Sequence, residues 1–201
     1  MKSVLMAIHP EWCELIANGK KTIEVRKTRP KIETPFKCLI YCTKRRRALI
    51  KNPLTQKLEL GEKFPVNRYL WYNTKVIGEF ICRNIDRYDY DQAFDESMGC
   101  YINKYGYDIT SQELSGTCLS YEEFEKYGNT YPLYGWYISD LKIYDEPKEL
   151  SEFYVECKGI CVDTAKKILC LKTKTLKHFG CDRKIYIKSP PQSWCYVEVE
   201  E

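Results

Sequence analysis

The stretch from His9 to Arg26, HPEWCELIANGKKTIEVR, constrains the fold more than any other part of this chain. It reads as a short helix, a glycine stop, and a strand bearing two cations and one carboxylate. Pro10 suits the first helical turn, where its missing N–H would have no partner anyway. Trp12, Leu15 and Ile16 recur at i, i+3 and i+4 and form one apolar stripe, which places Trp12 in the core. Asn18-Gly19 ends the helix, because glycine accepts the left-handed conformation that follows a helix C-cap. The run Thr22-Ile23-Glu24-Val25-Arg26 then alternates polar and apolar. With Ile23 and Val25 facing the core, Thr22, Glu24 and Arg26 share the other face. Lys21 stands at the strand entrance, where alternation does not fix its direction. Such a charged patch beside a helix end is suited to holding a phosphate or a nucleobase. A solvated strand face with a local Glu–Arg pair is the plainer alternative.

The chain has 201 residues, of which 44% are hydrophobic. That fits a single elaborated domain with a real core. The 17 tyrosines serve either sheet propensity or base stacking, and for most of them the former is expected. No apolar run approaches the ~20 residues a membrane helix needs, and no signal-peptide pattern opens the chain. Eleven cysteines is an odd count. With no export signal, reduced thiols in a cytoplasmic protein are expected. Most of them, such as Cys38, Cys42 and Cys82, should behave as small buried hydrophobes.

Charge is unevenly spread. Residues 20–51 carry 12 basic and 2 acidic side chains, a balance of +10. Residues 86–163 carry 6 basic and 17 acidic ones, −11, and residues 164–188 carry 8 basic and 1 acidic, +7. Basic segments on a chain of net charge +4 either form a footprint for a polyanion or disperse and pair with the acidic middle.

Residues 2–8 read as a strand too continuously apolar for a one-faced edge. Residues 10–18 read as the helix, 21–27 as the motif strand, and Phe36–Thr43 as a further strand followed by Lys44-Arg45-Arg46-Arg47. Residues 51–65 are polar, with turn signals at Asn52-Pro53 and Gly61. Strand-like runs follow at 69–72 and 76–83. Residues 86–116 are acidic and tyrosine-rich and read as a helical or loop insertion. Ser120-x-x-Glu123 is a capping box for a helix that stops at Gly128. Residues 134–144 form a strand, and a helical turn falls near 148–153. Residues 185–187 and 194–199 read as a closing strand pair. Many short strands with two or three helices give a mixed α+β barrel.

The octapeptide Gly19-x-Lys21-x-x-Glu24-x-Arg26, following a strand and a short helix, resembles the G-x-K-x-x-E-x-R signature of ASCH domains, small β-barrels of the PUA-like superfamily. Gly135–Tyr144 (GWYISDLKIY) and Pro190–Tyr196 (PPQSWCY) resemble segments of a bacterial and phage branch of that family. The resemblance implies an α+β, PUA-like mixed β-barrel with a few flanking short helices. Its domain would span 1–155, with the acidic insertion near 86–116, and 156–201 would be an elaboration closing onto the barrel.

The resemblance also favours nucleic acid as the partner, RNA or a modified nucleotide, in a basic groove beside the first helix. Lys20, Lys21 and Arg26 would neutralise phosphates, with Arg26 adding a bidentate fork. Glu24 would accept from an exocyclic amine. Lys44, Arg45, Arg46 and Arg47 would extend the backbone contact. Some ASCH proteins remove the acyl group from acetylated cytidine with a Lys, a Thr and a Glu. Lys21 matches that lysine, but the threonine position three residues on is Glu24, which is no hydroxyl nucleophile. Glu79 and Glu96 are candidates for the third residue. A ribonuclease would use Lys21 and Glu24 as its catalytic groups, with Arg26 stabilising the phosphate. A protein-interaction module is a further alternative. No cofactor is expected. Cys157, Cys161, Cys170 and Cys181, with His178, form a weak zinc candidate, since only the first pair has favourable spacing. His9, preceding the helix, is expected to cap or pack, with contact to a ligand at the groove mouth as the alternative.

Overall fold

The computed structural model describes residues 3–61, 71–95, 100–156, 161–164, 167–170, 175–177 and 184–199. The chain opens with β1 (Ser3–Ile8), α1 (Pro10–Ala17), β2 (Ile23–Arg26) and β3 (Phe36–Cys42). A short hairpin of β4 (Ala48–Lys51) and β5 (Leu58–Gly61) precedes the long β6 (Val76–Tyr88). Then come β7 (Tyr90–Asp95), β8 (Cys100–Tyr107), α2 (Ser111–Thr117), α3 (Tyr121–Gly128) and the long β9 (Leu133–Lys148). A single 3-10 turn, Leu150–Glu152, leads to β10 (Phe153–Glu156). The remaining strands are β11 (Cys161–Thr164), β12 (Lys167–Cys170), β13 (Thr175–Lys177), β14 (Lys184–Tyr186) and β15 (Trp194–Val199).

The main sheet has eight strands in the order β14-β10-β15-β1-β3-β6-β9-β2. Within it β1 and β3 run parallel, with Val4 opposite Cys38 and Ile8 opposite Cys42. The other pairs are antiparallel. Among the described residues no ladder joins β2 back to β14, so the sheet is hydrogen-bonded as an open one. The barrel expected from the motif is therefore reduced to a strand-rich α+β sheet with three short helices.

The continuous apolar run of β1 follows from its central position. Val4, Met6 and Ile8 pack on one face against Cys38, Ile40, Cys42 and the α1 residues Cys13 and Ile16. Leu5 and Ala7 pack on the other face with Leu39, Tyr41, Phe153 and Val197. Each fully buried aliphatic side chain contributes about 1.5–3 kcal/mol, and the two faces together hold the sheet centre. Trp136 is fully buried in the first cluster. Val25, Tyr88, Tyr107, Phe124 and Leu133 form a third cluster under α3.

Several sequence expectations change. The described part of residues 86–116 is the end of β6, the β7–β8 ribbon and most of α2, so much of the stretch read as helix or loop is strand. The ribbon pairs with itself and so shows no one-faced alternation. The signal for α2 was present, since Thr110 and Glu113 form the same reciprocal capping box as Ser120 and Glu123. Asn52 makes its expected turn by accepting from the Leu54 and Thr55 N–H groups. Gly61 ends β5, and the residues that follow it lie outside the described ones. Of residues 69–72 only 71 and 72 are described, and Trp71 makes an isolated bridge with Ile50. Residues 184–186 and 194–199 do not pair with each other, because β10 lies between them and takes both as partners.

Gly19 has φ +71°, as the glycine stop requires. The Gly19 N–H bonds Ile16 O, and the Lys20 and Lys21 N–H groups both bond Leu15 O. This reversal sets Lys21 at the entrance to β2. Replacing Gly19 by Ala costs about 1–2 kcal/mol, the strain of a left-handed non-glycine residue. Gly19→Asn costs less. Urea unfolding of the two variants checks the order.

Candidate functional site

Lys21, Glu24 and Arg26 are brought together, but beneath the surface. They are 3%, 5% and 8% exposed. An open charged strand face is thereby excluded. Glu24 and Arg26 project from the same face of β2, as the alternation requires. Lys21 joins them from the helix stop and not from the strand.

Each charged group has fixed partners. The Lys21 ammonium donates to Thr117 O at 2.5 Å, lies 3.5 Å from Glu24 Oε2, and sits 5.0 Å from the centre of the Trp12 ring. Arg26 Nη2 lies 3.0 Å from Glu24 Oε1 and donates to Ala7 O at 2.8 Å, while Nη1 donates to Ser193 Oγ at 3.4 Å. Two cations and one carboxylate leave the buried group with a surplus positive charge. Three polar atoms here are buried with no hydrogen-bond partner among the described residues: Glu24 Oε2, Arg26 Nε and Thr43 Oγ1. Buried polar groups are normally satisfied, which sets these three apart.

All three residues line a cavity of about 340 Å³. Its walls come from distant parts of the chain. Ala7, Ile8 and His9 follow from β1, Trp12 from α1, and Thr43 from the end of β3. Leu119 and Tyr127 belong to the α2–α3 elbow and α3, and Pro191 and Gln192 to the segment before β15. The elbow is held against β2 by Thr22 N–H to Gly116 O. A side chain at position 116 would meet Thr22 Oγ1 at 2.8 Å, so glycine permits this approach. Glu113 anchors α2 further by accepting from the Tyr137 and Tyr88 hydroxyls at 3.2 and 3.4 Å. Burial raises the Glu113 pKa, but these bonds and those from Thr110 outweigh it and hold the carboxyl below its usual range.

The basic run lies outside this cavity. Lys44, Arg45, Arg46 and Arg47 are exposed and form no ion pair among the described residues. The three arginines and Glu11 line a shallow neighbouring depression. Arg45 links the two, with Nη2 2.7 Å from His9 Nε2. His9 is the α1 N-cap residue, yet its side chain makes no capping bond. Partial burial of the ring and the adjacent Arg45 lower its pKa, so the ring is neutral at pH 7. Lys20 is exposed and does not line the cavity.

The sequence reading therefore missed Thr43, Tyr127 and the cavity role of Trp12, which is half-buried, while His9 lines the cavity, the alternative raised for it. Trp12 does flank the core, but its ring also covers Lys21. Glu79 stands apart, held by Tyr144 and Lys37. Glu96, Cys157, His178 and Cys181 lie outside the described residues. Cys161 and Cys170 are backbone register partners across β11 and β12. Among the described residues no group of three or more His, Cys, Asp or Glu side chains is arranged to hold a metal ion. No described helix is long and apolar enough to cross a membrane.

The model of the ASCH domain family matches residues 6–160, and the chain belongs to that family. Similar solved structures include ASCH from Zymomonas mobilis, at 18% identity and a TM-score of 0.44, covering 74% of this chain and 73% of that one. A tyrosine-to-phenylalanine variant of that protein matches at 18% identity and a TM-score of 0.44, covering 75% and 77%. A serine-to-alanine variant matches at 17% and 0.43, covering 74% of each chain. No curated protein matches this chain.

Removing the one buried carboxylate while keeping both cations is strongly destabilising. Glu24→Ala costs about 3–5 kcal/mol. Lys21→Met removes the surplus charge and costs within about 1 kcal/mol. Denaturant midpoints of the two variants, measured without ligand, test this difference.

Proposed function

We propose that this ASCH protein binds RNA or a modified nucleotide by taking one unstacked nucleotide at a time. The base enters the cavity beside α1 and the phosphates lie toward Lys44, Arg45, Arg46 and Arg47. One observation carries this reading: a cavity with three unsatisfied buried polar atoms opens beside an unpaired arginine run. About 340 Å³ lies at the small end of ligand pockets, suiting one nucleoside and no helix. Trp12 and Tyr127 offer aromatic surface for an unstacked base. The arginine loop supplies the sequence-independent attraction to phosphate.

The test is fluorescence binding of labelled single-stranded and duplex RNA across a salt series. Single strands bind more tightly than duplex, and affinity falls linearly on a log–log plot. Replacing Arg45, Arg46 and Arg47 together by Ala makes the slope shallower by about 2, at ~0.7 per phosphate contact. Salt-independent binding, or none to any RNA, overturns the reading.

A second reading, hydrolysis of RNA or of an acylated nucleoside, is favoured by Thr43. Its hydroxyl supplies in the same cavity the group that Glu24 does not. Product formation by the native chain that disappears in Thr43→Val, with RNA binding retained, supports it. Unchanged RNA and an intact acylated nucleoside count against it.

A further inference from the structure

The buried charges form an ordered row. Glu24 stands between two cations, with Lys21 Nζ 3.5 Å from Oε2 and Arg26 Nη2 3.0 Å from Oε1. An ammonium has three donors and a guanidinium five. Thr117 O and Glu24 occupy two directions of Lys21. Ala7 O, Glu24 and Ser193 Oγ engage the terminal nitrogens of Arg26 and leave Nε–H without a partner. Glu24 Oε2 has no hydrogen-bond partner either. Both side chains are at least nine-tenths buried and both line the cavity. Glu24 Oε2 and Arg26 Nε are enclosed in the empty cavity and the Trp12 ring flanks Lys21; turned toward the cavity, the free valences run donor, acceptor, donor.

We propose that this row selects the imide edge of a uracil-type base, whose pattern is acceptor, donor, acceptor. The proposal rests on the reading of the cavity as a nucleotide site. The two carbonyl oxygens of uracil would face Lys21 and Arg26, and its N3–H would donate to Glu24 Oε2. The edge is nearly symmetric, so either orientation of the ring satisfies the row. The other bases fit less well. Cytosine presents an amine, then two acceptors, which sets N–H against a cation and a lone pair against the carboxylate. Adenine sets N1 against the carboxylate in the same way. Guanine offers two donors beyond O6, so one of them opposes a cation. Edges of this kind are open to a protein only in unpaired nucleotides, where the base is turned out of its stack. The surplus positive charge of the site favours the ligand with two carbonyl oxygens over the aminated ones.

The experiment is titration calorimetry of the native chain with the 5′-monophosphates of uridine, cytidine, adenosine, guanosine and 3-methyluridine. Uridine monophosphate binds about 10–100-fold more tightly than the other three natural nucleotides, the cost of an unmatched buried hydrogen-bonding group. 3-Methyluridine, which lacks the N3–H, loses at least as much. Cytidine or adenosine binding as tightly as uridine overturns the base selection while leaving nucleotide binding intact. Tight binding of 3-methyluridine also overturns it. No binding by any of the five overturns the nucleotide reading of the cavity and the selection with it. Because the panel uses the native chain, a variant that fails to fold cannot blur the result.

Discussion

The ion pair between Glu24 and Arg26 is the contact on which the site's geometry depends. A guanidinium buried to this degree needs its donors filled, and Arg26 fills them from three places. It reaches across to Ala7 O at the end of β1, to Ser193 Oγ before β15, and to the carboxylate beside it on β2. Strand β2 is an edge of the main sheet, paired by hydrogen bonds to β9. Arg26 gives that edge a second attachment, to the sheet centre and the C-terminal segment. Lys21 does the same for the α2–α3 elbow through Thr117 O. The charged residues are therefore the ties that draw the cavity walls together.

Those ties are not complete. Burying charge is costly unless every ion is paired and hydrogen-bonded. Here one carboxylate serves two cations, and Glu24 Oε2, Arg26 Nε and Thr43 Oγ1 make no hydrogen bond among the described residues. A site built for stability alone would close these valences. The basic loop at 44–47 plays a different part. Its charges are solvated and form no ion pair among the described residues, and they act over a distance of about one Debye length, 8–10 Å.

Local patterns were legible wherever the physics is local. The helix at Pro10, its glycine stop, the alternation of β2 and the Ser120 capping box all depend on neighbours within four residues. The ASCH family was legible from the same octapeptide. The burial of Lys21, Glu24 and Arg26 was not, since a charged face on an alternating strand ordinarily meets water. The β7–β8 ribbon was obscured because its tyrosines pack against one another and against α3, as in the Tyr90–Tyr107 and Tyr107–Phe124 contacts. Thr43 and Tyr127 carry no local signal at all.

By itself the amino-acid sequence determined the helix, the turn and the strand of residues 9–26, and with them which three charged side chains lie near one another. The uneven charge along the chain also placed an arginine run just after a strand end. Only the tertiary structure decided that the trio is enclosed, because enclosure is made by α2, α3 and residues 191–192, which lie far away in sequence. Chain closure over such separations follows from which strands pair, here β1 with both β3 and β15. That pairing depends on the packing of the two sheet faces together, and no window of a few residues contains it.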